Sequence, residues 1–320
     1  MGRTIINVQY LRAIAALGVV MFHTTSLKGH AFLLGTAGVD LFFVVSGFIM
    51  WRVTERESAP GLFLWRRLVR IVPMYWLVTA ALAVRTHPGA AELIQSLLFI
   101  PHYNATGQIW PVLVPGWTLS YEMFFYALFA VALLAPRAMQ AWLLTGAIGL
   151  LCALHPLAGH AAVPRTFTDP IMLEFVAGIW IAKAPRPTVA VGASALVLAL
   201  AALCMLQLFR IHSDPWRAAL YGAPAALLLV GALGFEAKTP KVSALLLLGN
   251  ASYSLYLVQG LLIGQLERAA HQTWITVIVT ALGGVVIYKL IEEPMNRGIR
   301  WLSKRVGRGA AKPALSPASP

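Results

Sequence analysis

The chain is dominated by apolar segments of about 20 residues that are separated by short polar stretches. A helix of that length crosses the hydrocarbon core of a bilayer, which is about 30 Å thick. With 59% hydrophobic and 12% charged residues, the composition excludes a soluble globular protein. The alternating strands of a membrane-spanning barrel are absent. The sequence therefore predicts an all-α polytopic membrane protein, a bundle of helices.

Ten segments are long enough to cross the membrane as helices. They lie near 7–24, 35–52, 70–86, 117–135, 140–155, 169–183, 188–209, 216–234, 243–265 and 273–292. The block at 91–101 is too short and is followed by a Pro- and Gly-rich stretch, so we expect a re-entrant or interfacial segment there, with an eleventh span as the alternative. We expect one transmembrane domain over residues 1–300 and a disordered basic tail at 301–320.

The basic residues predict the orientation of the spans, because cytoplasmic loops carry an excess of Lys and Arg. With both termini in the cytoplasm, 17 of the 25 Lys and Arg residues are cytoplasmic, six are on the opposite side, and Arg12 and Lys289 lie within spans. We therefore predict a multi-pass protein of the inner (plasma) membrane with both termini cytoplasmic. The net charge of +13 then favours the lipid bilayer or an anionic cytoplasmic ligand as partner, and no nucleic acid.

Polar residues inside predicted spans are costly and therefore indicate function, and four of them matter most here. They are His23, Asp40, Glu122 and Gln259. Counting about 1.5 Å per residue from the cytoplasmic end of each span puts all four at about 20 to 24 Å, which predicts one polar site. Alternatives are a core histidine bonded to a backbone carbonyl, and carboxylates that stabilise the start of a helix through its dipole.

Five basic residues suggest a route from the cytoplasmic surface to that polar site. Arg12 and His23 are eleven residues apart, so they share a helix face and are separated by about 16 Å along the axis. Arg66, Arg67 and Arg70 cluster on the same side of the membrane as Arg12. Arginine binds phosphate through paired hydrogen bonds, so the cluster suits a phosphorylated ligand. The alternative is that the cluster only sets the topology.

Six motifs in order resemble those of the acyltransferase-3 family of integral-membrane acyltransferases. They are the Arg-x10-His of Arg12 and His23, GVDLFFVVSGF (38–48), FLWRRLVRIVPMYW (63–76), GWTLSYEMFFY (116–126), LGNASYSLYLVQ (248–259) and IEEP (291–294). They cover most of the chain. The sequence of the fourth motif most resembles those of the branch that acetylates exopolysaccharides.

The resemblance implies transfer of an acyl group, usually acetyl from cytoplasmic acetyl-CoA, to a carbohydrate hydroxyl of an exopolysaccharide or its lipid-linked precursor. It implies that Arg12 and His23 are essential and that Arg67 and Arg70 belong to the acyl-CoA region. Many members have a histidine where this chain has Gln259. Because glutamine cannot exchange protons, this position keeps only a hydrogen-bonding role here.

Together these observations give the expected site. We predict His23 as general base, Asp40 or Glu122 as the carboxylate that orients its imidazole, and direct transfer or an acyl-histidine intermediate as alternatives. We predict Arg12, Arg66, Arg67 and Arg70 as the residues that bind acetyl-CoA. We predict Trp117, Ser120, Tyr253 and Gln259 as substrate-binding, although Tyr253 is also explained by helix packing. No metal is expected.

Two other functions are compatible with parts of the sequence. Polar groups in the middle of a bundle also occur in carriers, so a flippase for a lipid-linked sugar is one alternative. A membrane scaffold that binds polysaccharide assembly proteins is another, and such proteins are also candidate partners of the enzyme. The scaffold alternative predicts that His23 is dispensable.

Overall fold

A computed structural model describes residues 5–55, 59–211, 216–270 and 272–299. This part of the chain is helical and contains no strand, which confirms the all-α prediction. The helices are α1 (Ile6–Ser26), α2 (Ala37–Val53), α3 (Pro60–Thr86), α4 (Ala90–Leu97), α5 (Trp117–Ala132), α6 (Arg137–Ala153), α7 (Ala162–Phe167), α8 (Leu173–Lys183), α9 (Val189–Leu208), α10 (Ala223–Gly234), α11 (Ser243–Ala270) and α12 (Thr273–Ile287). A π-helical turn, Ala218–Gly222, precedes α10, and another, Tyr288–Glu292, follows α12.

Every predicted span coincides with a helix, and six helical segments of the described chain are long and apolar enough to cross a membrane. These six are Ile6–Ser26, Leu33–Val53, Pro60–Thr86, Val189–Leu208, Ser243–Arg268 and Thr273–Ile299. The spans predicted at 117–135, 140–155, 169–183 and 216–234 are formed by shorter helices. The chain is therefore a multi-pass membrane protein, and ten crossings remain a prediction. The tail at 301–320 lies outside the described residues.

Two elements differ from the predicted bounds in a way that matters for the site. Helix α3 begins at Pro60, ten residues before the predicted span, because proline fits the first turn of a helix. The three arginines of its first half therefore lie on the same continuous helix as the apolar half. Helix α4 has eight residues and is too short to cross a bilayer.

Close packing of small residues holds α2 against α8. A Cβ atom on Gly47 would lie 2.0 Å from the carbonyl oxygen of Phe175, and one on Gly178 would lie 2.0 Å from that of Val44. The two backbones therefore touch, as is common between helices in membranes. Beside this contact, the ring of Phe175 stacks on Phe43 at 4.6 Å.

The start of α1 is fixed by a carboxylate from the segment that follows α10. Glu236 accepts hydrogen bonds from the backbone N–H groups of Ile6 (2.7 Å) and Asn7 (2.9 Å). The amide of Asn7 donates to the carbonyl of Ala232 at 2.6 Å. An anion at a helix N-terminus is favourable because it satisfies free N–H groups and the helix dipole. These contacts fix the height of Arg12 in the bundle.

We expect the substitution Gly178→Ala to lower the stability of the folded protein, because the new methyl group would collide with the backbone of α2. Overpacking of this kind costs about 1–3 kcal/mol. Thermal unfolding in detergent, followed by size-exclusion fluorescence, measures the loss. Gly146→Ala is the matched control, since a Cβ atom at Gly146 meets nothing within 4 Å. Equal unfolding temperatures for the two variants would contradict the close α2–α8 contact.

Candidate active site

A cavity of about 90 Å³ lies among α1, α2, α3, α5 and α11. Its polar lining includes Arg12, Ser46, Arg70, Glu122 and Tyr253. We call it the arginine cavity. The remainder of its lining is mostly apolar and aromatic, with few polar groups, which is the usual composition of a small-molecule site.

The carboxylate of Glu122 is tied to two hydroxyl groups. Ser46 donates to Glu122 Oε1 at 3.0 Å, and the hydroxyl of Tyr126 donates to the same oxygen. Glu122 also interacts electrostatically with Arg12 and Arg67. A membrane interior tolerates a carboxylate only when it is paired in this way. Glu122 therefore belongs to the cavity and does not face the bilayer.

A second carboxylate, Glu292, belongs to the same cluster. It lies in the π-helical turn after α12, is 4% exposed, and accepts a hydrogen bond from Ser254 at 2.5 Å. It interacts electrostatically with Arg12 and Arg70. The sequence prediction did not include Glu292 among the site residues. The IEEP motif at 291–294 was the sequence feature that could have indicated it. The π-helical turn supports a functional role, because such turns occur often at functional sites.

The three arginines of α3 have different environments. Arg70 lines the arginine cavity, and among the described residues it donates no hydrogen bond. Arg67 lies over the ring of Phe63 at 5.9 Å, and its Nε atom is buried without a hydrogen-bond partner in the described chain. Arg66 is exposed and outside the cavity lining. The structure thus brings Arg12, Arg67 and Arg70 together. Arg66 interacts electrostatically with Arg67 but does not line the cavity.

The cluster carries more positive than negative charge. Arg12, Arg67 and Arg70 face two carboxylates, Glu122 and Glu292, so one guanidinium charge is left over. With Arg70 and the buried Nε of Arg67 still able to donate, the cavity suits an anionic ligand such as a phosphate ester.

The position of Glu122 corrects the prediction that it shares the depth of His23. Glu122 lines the same cavity as Arg12, which lies in the second turn of α1. The depth count took every helix to start at the same membrane surface, whereas the contacts between helices give the true relative heights. Gly38 of α2 packs against Ala15 of the antiparallel α1. Ser46, two turns further along α2, donates to Glu122, so Glu122 lies toward the Arg12 end of α1 and away from His23.

His23 lies three residues before the end of α1, at the other end of the helix from Arg12. Its imidazole is partly exposed and lies against the ring of Phe22 at 5.3 Å. No charged side chain of the described chain interacts with it, and Asp40 and Glu122 have other partners here, so an orienting role for either of them stays a prediction. The arginine cavity does not reach His23, because Ala16 and Val20 are packed in an apolar cluster between them.

Asp40 has a different partner from the predicted one. It is fully buried and forms an ion pair with Arg217 at 2.7 Å. Glu174, which is 2% exposed, interacts with the same carboxylate. Two carboxyl groups face one guanidinium, so the group is neutral when one carboxyl is protonated. Neither Arg217 nor Glu174 was among the predicted site residues, although each is a charged residue within a predicted apolar span, which was the available signal.

The four predicted substrate-binding residues are divided between three places. Tyr253 lines the arginine cavity, and its hydroxyl donates to the carbonyl of Ile71 at 2.8 Å, so it also has the helix-packing role. Gln259 is 1% exposed, and its amide has no hydrogen-bond partner in the described chain. Trp117 and Ser120 line a separate pocket beyond the opposite face of α5.

Comparison with known proteins identifies the family of the chain. A family profile described as "Acyltransferase domain" (acyltransferase family 3) matches residues 5–290. The chain belongs to this family. It is 36% identical over 318 residues to "Exopolysaccharide production protein ExoZ" of Rhizobium meliloti, covering 91% of this chain and 98% of that protein.

More distant relatives have related names. "Acyltransferase MdmB" of Streptomyces mycarofaciens is 27% identical, with 88% of this chain and 84% of that protein covered. "O-acetyltransferase OatA" of Staphylococcus aureus is 25% identical, with 94% of this chain and 59% of that protein covered. No solved structure matches the chain. The predicted family, and a membrane acyltransferase of the O-acetyltransferase kind, are thereby confirmed.

The ion pair between Asp40 and Arg217 predicts a specific pattern of stability. Arg217→Met leaves two buried carboxyl groups without their cation, so we expect a loss of about 3–5 kcal/mol. Adding Asp40→Asn should restore at least half of that loss, because the uncompensated charge is removed. Thermal unfolding of the two single variants and the double variant in detergent measures the coupling. Additive losses would show that the two residues do not act as a pair.

Proposed function

We propose that this family member transfers an acetyl group from cytoplasmic acetyl-CoA to a hydroxyl group of a carbohydrate, either an exopolysaccharide or its lipid-linked precursor. The observation that carries the proposal is the charged cluster at the arginine cavity. Arg12, Arg70 and Glu122 line the cavity, and Arg67 and Glu292 interact electrostatically with these lining residues. The three guanidinium groups of the cluster outnumber its two carboxylates. The similarity to a protein named for exopolysaccharide production supports the class of acceptor. Acetyl-CoA is the donor substrate of this reaction.

The arginine cavity fits the anionic part of an acyl-CoA. Acetyl-CoA supplies an activated acetyl thioester and carries several phosphate groups. Arg70 and Arg67 are the residues to bind phosphate, because a guanidinium makes paired hydrogen bonds to it and both keep unused donors. Arg66, which we predicted from the sequence for this role, is exposed and has at most a secondary part in it.

We assign the proton transfers to His23. Its imidazole takes the proton from the acceptor hydroxyl as the oxygen attacks the acetyl carbonyl carbon. The carbon–sulfur bond breaks, and the imidazolium returns the proton to the departing thiolate, so no net proton is produced or consumed. No carboxylate of the described chain contacts His23, so the assignment needs no orienting anion. Asp40 is accordingly assigned a structural role beside Arg217.

The distance between donor and base is part of the proposal. Arg12 and His23 share one face of α1, about 16 Å apart along the helix. The face between them presents only apolar side chains, Ala16 and Val20 among them, which pack against Leu255. The pantetheine arm of CoA is long, thin and flexible, and it is suited to follow such a face once these side chains separate.

The orientation follows from the charge distribution. We propose ten crossings with both termini in the cytoplasm of a cell and the protein in the inner (plasma) membrane. The arginine cavity then opens on the cytoplasmic side, where acetyl-CoA is made, and His23 lies toward the opposite surface. The acyl group is thereby delivered toward the side on which exported polysaccharide is found.

The catalytic role of His23 is tested with purified protein in nanodiscs, labelled acetyl-CoA and a panel of short gluco- and galacto-oligosaccharides. We expect His23→Ala and His23→Gln to lower kcat by about 10²–10⁴-fold, because neither side chain exchanges protons. His160→Ala, at an exposed loop histidine, is the matched control and should behave as the parent.

Three outcomes would contradict the function. Transfer by His23→Ala at the parental rate would remove His23 from the chemistry. Movement of a sugar-lipid across the membrane without transfer of label would favour a carrier. Assembly of polysaccharide that is unaffected by every variant, with no label transferred by the parent, would favour a scaffold.

The donor site makes a second prediction. We expect Arg70→Ala to raise the KM for acetyl-CoA by about 10–100-fold, since a hydrogen bond to a charged group contributes about 1.5–3 kcal/mol. Arg66→Ala should change it by less than about fivefold, as for an exposed ion pair. Initial rates at varied acetyl-CoA measure both. Equal effects of the two substitutions would contradict the assignment of the cavity to the donor.

A further inference from the structure

A second pocket lies on the other side of α5 from the arginine cavity and has a volume of about 100 Å³. Its lining includes Phe99, His102, Trp117, Ser120, Tyr121 and Asp169. We call it the His102 pocket. At 100° per residue, its α5 members are on the face opposite Glu122 and Tyr126, which line the arginine cavity. The helix therefore separates two sites.

His102 has one ring nitrogen with a partner and one without. Its Nδ1 lies 2.8 Å from the carbonyl oxygen of Ile100. A carbonyl oxygen only accepts hydrogen bonds, so this contact places the proton of the neutral ring on Nδ1. Nε2 then carries a lone pair, and it is buried without a partner among the described residues. The side chain is 8% exposed, so an unused acceptor of this kind is unusual and indicates a ligand.

The surroundings of His102 combine aromatic rings with charged groups. Trp117 and Tyr121 meet edge to face at 5.8 Å between ring centres. Arg165 and Asp169 add a guanidinium and a carboxylate to the lining. Apolar rings with a few convergent polar groups are the usual composition of a small-molecule site.

The wall of the pocket is fixed by the end of α4. Phe99 follows the last turn of that helix with a φ of 58°, the left-handed conformation in which helices often end. Its ring stacks on Tyr75 at 4.8 Å. The loop that follows is tied back because the N–H of Val112 donates to Ser96 Oγ at 2.9 Å.

We propose that the His102 pocket binds one sugar unit of the carbohydrate acceptor, with Nε2 of His102 accepting a hydrogen bond from one sugar hydroxyl. The lining of the pocket does not include His23, so the hydroxyl that is acetylated belongs to a part of the acceptor that extends from the pocket to that imidazole. Arg165 donates to sugar oxygens, and the aromatic rings cover the apolar face of the ring. The pocket is smaller than the cavity of about 150 Å³ that holds benzene, so it takes one edge of a sugar ring. This inference rests on the proposed function, since it names the acceptor site of that reaction.

Other ligands fit the lining less well. One histidine and one aspartate are fewer than the three or four ligands of a zinc site. A phosphate would be repelled by the carboxylate of Asp169, which lines the pocket together with Arg165. A neutral polyhydroxyl compound is not repelled. The lone pair of Nε2 requires a hydrogen-bond donor, which a sugar hydroxyl is and a phosphate dianion is not.

The test separates acceptor binding from donor binding. Transfer of labelled acetyl to the same gluco- and galacto-oligosaccharides is measured at varied acceptor and at varied acetyl-CoA, for the parent and His102→Ala. We expect His102→Ala to raise the KM for the acceptor by about fivefold to tenfold, the usual effect of one neutral hydrogen bond, and to leave the KM for acetyl-CoA within about twofold. Ser120→Ala, which removes another hydroxyl from the lining, should raise the acceptor KM in the same direction.

The outcomes distinguish this inference from the function on which it rests. An unchanged acceptor KM in both folded variants, with normal transfer by the parent, overturns the acceptor site alone. Loss of affinity for acetyl-CoA in His102→Ala also overturns it, because that result assigns the pocket to the donor. Failure of the parent to acetylate any oligosaccharide overturns the proposed function. Ser120→Ala keeps the test decisive if His102→Ala does not fold, and His160→Ala is the control for loss of a histidine.

Discussion

The pairing of buried charges between α1, α3, α5 and the turn after α12 is the constraint on which the candidate site depends. A guanidinium or carboxylate inside a bilayer is tolerated only when it is paired or hydrogen-bonded. Arg12 therefore requires Glu122 and Glu292 nearby, and these carboxylates in turn accept hydrogen bonds from the hydroxyl groups of Ser46, Tyr126 and Ser254. Four chain segments that are distant in sequence converge because their charges have no other acceptable position.

A second buried group, Asp40 with Arg217 and Glu174, has a different part in the fold. It ties the first turn of α2 to α8 and to the π-helical turn before α10. No residue of this group lines the arginine cavity or the His102 pocket. The two charged groups therefore separate into one that fixes helices and one that leaves cationic donors available to a ligand.

The sequence predicted the helices and their order well, because apolar length and helix phase are properties of each segment by itself. The shared face of Arg12 and His23 is of this kind, and so is the clustering of Arg67 and Arg70 on one turn. Which helices are neighbours is a property of the whole bundle, and a single sequence does not contain it in readable form. The depth count consequently grouped Asp40 and Glu122 with His23, whereas the structure pairs Asp40 with Arg217 and places Glu122 beside Arg12.

His102 is a candidate site residue that the sequence did not predict. It follows a short helix in a Pro- and Gly-rich stretch that has no periodic pattern, so nothing in the sequence sets it apart from the other seven histidines. Only the fold shows that its Nδ1 is hydrogen-bonded to a backbone carbonyl oxygen and that its Nε2 is buried in the pocket lined by Trp117 and Ser120. The sequence did identify those two neighbours, through a family motif on α5.

Helix α5 lies between the proposed donor site and the proposed acceptor site. Glu122 belongs to the charged face of the helix, and Ser120 belongs to the face that borders the His102 pocket. In the proposed function, the acetyl group passes from the arginine cavity along α1 to His23, and the acceptor is bound beyond α5. The apolar side chains that now fill the face between Arg12 and His23 are the part of the structure that must rearrange for transfer.

The most direct test of the central claim is a structure of the protein in a lipid nanodisc with a thioether analogue of acetyl-CoA, which binds as the donor does but cannot release its acetyl group. The account predicts ligand density in the arginine cavity, with phosphate groups against Arg67 and Arg70 and the acyl end directed along α1 toward His23. Ligand density elsewhere, with the arginine cavity unchanged and empty, would contradict it.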